Sequence, residues 1–449
     1  MEDDMQLNAK ARFDQKTHQG AVAARMSAEQ ALRRSVLSCL LWEREFYEEG
    51  ESIAQRILAL CEKVAPVTIA ELAVEAREQY HLRHVPLLLA SALARHARGD
   101  AIVANTIHRV IQRADELTEF VVVHALLNGV TPDKVKNKLS SQIKKGLARA
   151  FTKFDAYQLA KYDRANVVRL RDVLFLCHAK PVDDAQADLW KKLVANELEA
   201  PDTWEVALSG GADAKDTFER LMREEKLGYL ALLRNLRNMN EAGCDEGLVR
   251  EALLARRGAH RVLPFRYLAA ARACPRYEDT IDQALVASIA EARVFPGKTI
   301  VLVDVSGSMQ APLSQRSDLS RLDAGAVLAS VITGDVRVFS FSQHLREVPP
   351  RKGMAGVDAI LNSQPRGATY LGMALQTLMK ERHDRLIVIT DEQSADDVPP
   401  PVAKHSYMIN VASAKNGVGY GEWIHIDGFS ESIFRFIQEY EANEYEGAP

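Results

Sequence analysis

Ile300-Val-Leu-Val-Asp304-Val-Ser306-Gly-Ser308-Met309 is a strand-length apolar run that ends on oxygen. Four β-branched or aliphatic residues lead into a carboxylate and two hydroxyls at alternate positions. Such a run predicts a buried strand that delivers Asp304, Ser306 and Ser308 to a loop at its carboxyl end. Three hard oxygen donors suit a small divalent cation, Mg²⁺ before Mn²⁺ or Ca²⁺. Gly307 is expected to let the loop curl so that both hydroxyls face one point. Just upstream, Phe295-Pro-Gly-Lys298 marks a change of character in the chain.

From that point strands alternate with helices. Strands are expected at 299–303, 335–341, 385–390, 405–410 and 423–426, with helices at 323–332, 356–363, 371–380 and 431–440. This alternation predicts a parallel α/β sheet covered on both faces, with ligands beyond the carboxyl ends of its strands. Asp391 follows the apolar run Leu386-Ile-Val-Ile-Thr390, and Arg366-Gly-Ala-Thr369 supplies a further hydroxyl from a loop before a helix. Helix capping would explain any one of these elements. All three in order point to a metal site. The set resembles the metal-ion-dependent adhesion site of the von Willebrand factor A domain. That resemblance covers about 296–449 and assigns Asp304, Ser306, Ser308, Thr369 and Asp391 to the cation. Domains of that kind bind ligands through the metal and are not usually catalytic, and nothing here supplies a nucleophile with an attendant base.

Residues 27–290 read as helix after helix, about 16 of them with short connectors and almost no β-alternation. Expected helices include 29–48, 68–79, 131–139, 141–151 and 169–177. Ser27-Ala-Glu-Gln30 resembles a capping box, and Thr131-Pro132-Asp133 places a proline in a first helical turn. The pattern predicts a helical solenoid whose repeat is structural rather than a fixed sequence period. The chain divides into an N-terminal arm (1–26), a helical domain (27–294) and the α/β domain (295–449).

The formal net charge is −4, and 47% of residues are hydrophobic, as in a globular protein. The five cysteines are scattered, which predicts reduced buried thiols in a cytosolic protein. No signal peptide or apolar run long enough to span a membrane is present. Charge is placed unevenly. Lys134 to Arg171 carries eleven basic residues against Asp155 and Asp163 alone, a net +9 over 38 residues. Arg220 to Arg272 is a second enrichment, with eleven basic against six acidic residues. Both are candidate polyanion surfaces. Phe151, Phe154, Tyr157 and Tyr162 interleave with the first block at a spacing that fits a buried stripe better than a base-stacking platform.

Several segments of the helical part are similar to the TROVE module of the Ro autoantigen family. They are L-L-W-E-R-E-F-Y-E-E-G (40–50), H-L-R-H-V-P-L-L-L (81–89), K-G-L-A-R-A-F-T-K-F-D-A-Y-Q-L-A-K-Y (145–162), R-D-V-L-F-L-C-H-A-K-P (171–181) and L-A-L-L-R-N-L-R-N-M (230–239). They run in order over about 25–290 and precede an A-type domain, as in that family. The resemblance implies a monomeric ring of HEAT-like helical repeats followed by a Rossmann-like A domain. It implies a non-enzymatic RNA-binding scaffold for Y RNA and for the single-stranded ends of misfolded noncoding RNAs. Bacterial members of the family work in RNA quality control with an exonuclease, polynucleotide phosphorylase. Residue by residue, the family's Y RNA contacts fall on Lys161 and His178. A family arginine falls on Ala165, with Arg164 adjacent as a substitute. Lys144, Lys145, Arg149, Lys153, Arg169 and Arg171 would add phosphate contacts. Arg234, Asn235, Arg237 and Asn238 either line the central hole or cap the helix and face solvent. The competing reading is a metal-dependent protein adaptor, with the basic block incidental.

Overall fold

The computed structural model describes residues 27–37, 50–80, 82–163, 166–262, 264–290, 294–312, 319–403, 405–412, 417–419 and 421–427, with Ile433, Ile437 and Glu441. They divide into two compact units, one spanning Ala28–Glu291 and the other centred on Ala292–Gly428 with Glu441. No described helix is long and apolar enough to cross a membrane.

The first unit is helical throughout. Its helices stack in two layers, because each packs on the next but one as well as on its neighbour. In one layer Pro66–Glu78, Ala101–Val110, Ser141–Phe151 and Leu170–Cys177 follow one another; in the other, His84–His96 packs on Ala114–Leu127. The pattern returns downstream, with Ala214–Arg223, Glu246–Ala255 and Glu278–Ala290 in one layer and Tyr229–Glu241 on Phe265–Ala273 in the other. This next-but-one stacking is what a helical-repeat solenoid requires, since one helix pair cannot bury its apolar face alone. Residues far apart in sequence hold the layers in register. The Arg77 guanidinium donates to both Glu116 carboxylate oxygens at 2.8 and 3.0 Å, and Glu116 is wholly buried. Glu116 also accepts from the backbone N–H groups of Gln112 and Arg113.

Three local expectations change. The expected helix at 131–139 is a 3₁₀ helix, Pro132–Lys138, rather than an α-helix. Helix 29–48 is described only over Ala28–Leu37. Trp204–Ser209 is a short helix with no buried residue, hence no apolar period to announce it. Cys61, Cys177, Cys244 and Cys274 are free and buried, as expected; Cys39 lies outside the described residues.

The second unit is built on a six-stranded sheet. Its strands are β1 (Phe295–Asp304), β2 (Gly334–Phe341), β3 (Leu345–Val348), β4 (Arg385–Thr390), β5 (His405–Asn410) and β6 (Ile424–Asp427), in the order β3-β2-β1-β4-β5-β6. All pairings are parallel except β2 with β3, so the expectation of an all-parallel sheet fails at one edge. β3 is a four-residue return from β2, too short for a period-two pattern to register. Alternation in β1 and β4 covers both faces. Ile300, Leu302, Leu386 and Val388 share a core with Leu371, Leu375 and Leu378 of the helix Leu371–Leu378. Val303 and Ile389 point the other way, to the buried helix Arg321–Ser330, where Gly325 lets them approach. Each such aliphatic side chain contributes about 1.5–3 kcal/mol by burial.

Near the C-terminus, one described residue is anchored. Glu441 is buried, accepts from Arg385 Nε at 2.6 Å and from the Tyr407 hydroxyl at 2.9 Å, and is bridged by a second Arg385 nitrogen.

Candidate metal centre and nucleic-acid surface

The strand order places a topological switch between β1 and β4. From β1 the chain proceeds outward to β2 and β3, then returns to the other side of β1 with β4. The carboxyl ends of two neighbouring parallel strands thus diverge into loops on opposite sides, leaving a crevice. Asp304 ends β1, and Asp391 directly follows β4.

Contacts tie the predicted residues to the loops that border this crevice. Asp304 is wholly buried; its Oδ1 accepts from the Ser306 backbone N–H at 2.8 Å and its Oδ2 from the Thr390 hydroxyl at 2.7 Å. The Ser306 and Ser308 hydroxyls lie 3.2 Å apart, with Ser306 buried and Ser308 half-buried. The Gly307 N–H donates to Gly367 O at 3.0 Å, which ties this loop to the loop that carries Thr369. Thr369 is wholly buried and its carbonyl accepts from the Ala395 N–H at 2.8 Å. Asp391 is wholly buried, and its Oδ1 accepts from the Gln393 N–H at 3.2 Å. Burial, and then the neighbouring Asp391 charge, hold the Asp304 carboxyl well above the usual carboxylate range. Two buried carboxylates this close repel. A divalent cation would relieve that repulsion, and the hydroxyls supply further hard oxygen donors, so the residue set fits such an ion. Gly307 is not the conformational key that sequence suggested. It is absent from the positive-φ glycines, and a side-chain carbon there would make only an ordinary contact. The loop is tight because Gly307–Gln310 form a 3₁₀ turn.

The described basic residues predicted for RNA lie on or beside three successive helices of the first unit. Ser140 caps the helix Ser141–Phe151, whose buried side is Ile143, Gly146, Leu147, Ala150 and Phe151. The opposite side presents Lys145 and Arg149 four residues apart and exposed, with Lys144 half-buried. Arg149 donates to Asn105 Oδ1 at 2.7 Å, a neutral partner that leaves its charge uncompensated. Lys161, on the helix Ala156–Tyr162, lies 5.8 Å from the Tyr157 ring centre and 6.0 Å from that of Tyr162. Arg169 precedes the helix Leu170–Cys177 and its backbone N–H donates to Asp172 Oδ2 at 2.8 Å, Arg171 lies on the first turn, and His178 closes the helix exposed and left-handed at φ 54°. Arg164 lies outside the described residues. Lys153 is committed elsewhere. Its ammonium donates to the His108 and Ile111 carbonyls, the latter at 2.9 Å, at the C-terminal end of the helix Ala101–Val110. Burial there pushes its pKa down to about 8.

The second basic enrichment is different in kind. Arg220 and Lys226 pair with Asp202, Arg223 with Glu219, Arg250 with Glu246 and Asp279, and Arg257 with Glu225. Among the described residues from Lys134 to Lys180, by contrast, no lysine, arginine or histidine makes an ion pair. The aromatic residues split as well. Phe151 and Phe154 are core, Tyr157 is exposed, and Tyr162 lies under the Arg113 guanidinium at 4.7 Å. Sequence reasoning passed over Phe175, 60% exposed on the helix carrying Arg171, and exposed Lys180 beyond His178. A large apolar residue at the exposed i+4 position from an arginine was the available signal.

Residues 191–287 match the TROVE domain family. Of the segments that suggested TROVE from sequence, only 230–239 falls inside that span. No curated protein matches the chain. The crystal structure of the Ro (RSR) protein of Deinococcus radiodurans superposes with a TM-score of 0.60 at 16% identity, covering 93% of this chain and 100% of that one. At that identity the likeness is one of fold. The comparisons therefore show a match to the TROVE domain over 191–287 and, for the chain, the fold of that Ro protein.

Proposed function

We propose that this protein is a non-enzymatic RNA-binding scaffold. It would hold Y RNA and the single-stranded ends of misfolded noncoding RNA, and act in RNA processing or decay with an exonuclease. The observation that carries this reading is the contrast in pairing. Among the described residues, the cations on the helices from Ser141 to Cys177 make no ion pair, while Arg220, Arg223, Lys226, Arg250 and Arg257 each pair with a carboxylate. Unspent surface cations attract a polyanion by releasing its counterions, with little sequence selectivity. The TROVE match and the Ro-type fold support the same class of ligand. The test is affinity of the purified chain for a structured RNA with a single-stranded 3′ tail. Charge reversal at Lys144, Lys145 and Arg149 should weaken binding more than about tenfold, since each lost phosphate contact is replaced by repulsion. Unchanged binding would refute the reading.

The buried oxygen set at the β1–β4 crevice favours a second role for the other unit, as a divalent-cation site that recruits a protein partner. Asp304, Ser306, Ser308, Thr369 and Asp391 would hold the ion, Mg²⁺ first. The ion would supply an open coordination position for a partner's carboxylate. Asp304→Ala should abolish cation-dependent partner capture and leave RNA affinity unchanged; loss of both would argue against a separate role.

A further inference from the structure

Glu392 directly follows Asp391 and has φ 60°, a left-handed backbone that side chains disfavour and glycine adopts freely. Its carboxylate is wholly buried. One oxygen meets His425 Nε2 from β6, and the other accepts from the Gly419 N–H at 3.3 Å. Gly419 leaves the necessary room, because a side-chain carbon there would overlap the Glu392 carboxylate. The Glu392 backbone N–H in turn donates to the Thr390 hydroxyl at 3.0 Å, and that hydroxyl donates to Asp304 Oδ2 at 2.7 Å. A continuous chain of contacts therefore runs from His425 through Glu392 and Thr390 to Asp304, passing the peptide that carries Asp391.

We propose that His425 and Glu392 are positioning residues for the cation site: their contact holds the chain left-handed after Asp391 and so fixes Asp391 and, through Thr390, Asp304. Neither residue needs to touch the ion. Groups that orient metal ligands from behind commonly change metal affinity by one to two orders of magnitude when removed. The inference rests on the cation reading of the β1–β4 crevice.

The test is calorimetric titration of the full chain with Mg²⁺, and separately with Mn²⁺, alongside thermal melting of each variant with and without the ion. His425→Ala should weaken cation binding about tenfold, and His425→Gln, which keeps a donor, should recover most of that loss. Glu392→Gly should bind within about threefold of the unmodified chain, because glycine holds the left-handed backbone unaided. In the Glu392→Gly background, His425→Ala should then cost about twofold or less, because its task has gone. The proposal is overturned if His425→Ala leaves affinity unchanged, or if its cost is the same in both backgrounds. Should His425→Ala fail to fold, Glu392→Gly decides: a loss of about tenfold there sinks the proposal. An unmodified chain that binds neither cation at millimolar concentration removes the cation reading itself, and the inference with it.

Discussion

Replacing Lys144, Lys145 and Arg149 with alanine tests the RNA surface through its salt dependence, where the magnitude can be worked in advance. All three lie on Ser141–Phe151 with no carboxylate partner among the described residues, so removing them frees no buried acid. Each phosphate neutralised on a duplex contributes about 0.9 to the slope of log affinity against log salt, and about 0.7 on a single strand. Three lost contacts should flatten the slope by about 2.7 on a duplex or 2.1 on a single strand. Between about 50 and 200 mM salt, the affinity gap from the parent chain should narrow about 40-fold on a duplex or about 20-fold on a single strand. Fluorescence anisotropy of a labelled structured RNA, titrated across that salt range, reads both slopes. Lys226→Ala is the matched control, because Lys226 already pairs with Asp202 at 3.0 Å and Glu224 at 2.7 Å. Its slope should stay with the parent. Parallel lines for the triple variant and the parent would refute the assignment, as would an equal drop in the control.

Three further outcomes follow from the packing. The Lys153 pKa is about 8 in the folded chain and 10.5 as its reference. The unfolded chain therefore binds more protons between those values, and unfolding free energy should rise with pH across that window. Lys153→Met should remove that rise in pH-resolved urea melts; a curve shaped like the parent's would show the ammonium is not held as described. Glu441→Ala leaves the Arg385 guanidinium, 2% exposed, without its carboxylate. It should cost about 3–5 kcal/mol, much of it recovered by a volume-matched apolar replacement of both partners. A loss below about 1 kcal/mol by denaturant melting would mean the pair is solvated. At Gly146 an added Cβ would come 2.8 Å from Ile107 Cβ and 2.9 Å from Ala104 O. Gly146→Ala should gain about 1 kcal/mol of helix propensity yet lose about 1–3 kcal/mol to overpacking, a net destabilisation. A raised melting temperature would show that the two helices have slack.

What could be read from the chain alone divides by the range of the interactions involved. Asp304 and Asp391 were legible because each ends a run whose apolar residues reveal a buried strand, and strand ends in such sheets face a crevice. The two basic blocks looked alike because net charge does not count pairs. Their spacings nevertheless differ. Arg220–Glu224, Glu219–Arg223 and Glu246–Arg250 stand four apart on helices, whereas 134–171 offers only two acids, and none was close enough to spend its cations. Reading spacing as well as sum would have separated them. Lys153 was not legible, since the carbonyls it caps lie 42 and 45 residues earlier. The same holds at the β1–β4 crevice. Thr390-Asp391-Glu392 announces its aspartate, but the left-handed Glu392 meets His425 from β6, 33 residues later, in space that Gly419 leaves. Local pattern thus locates the ligands of such a site, while the groups that set their geometry come from strands that only the folded sheet brings near.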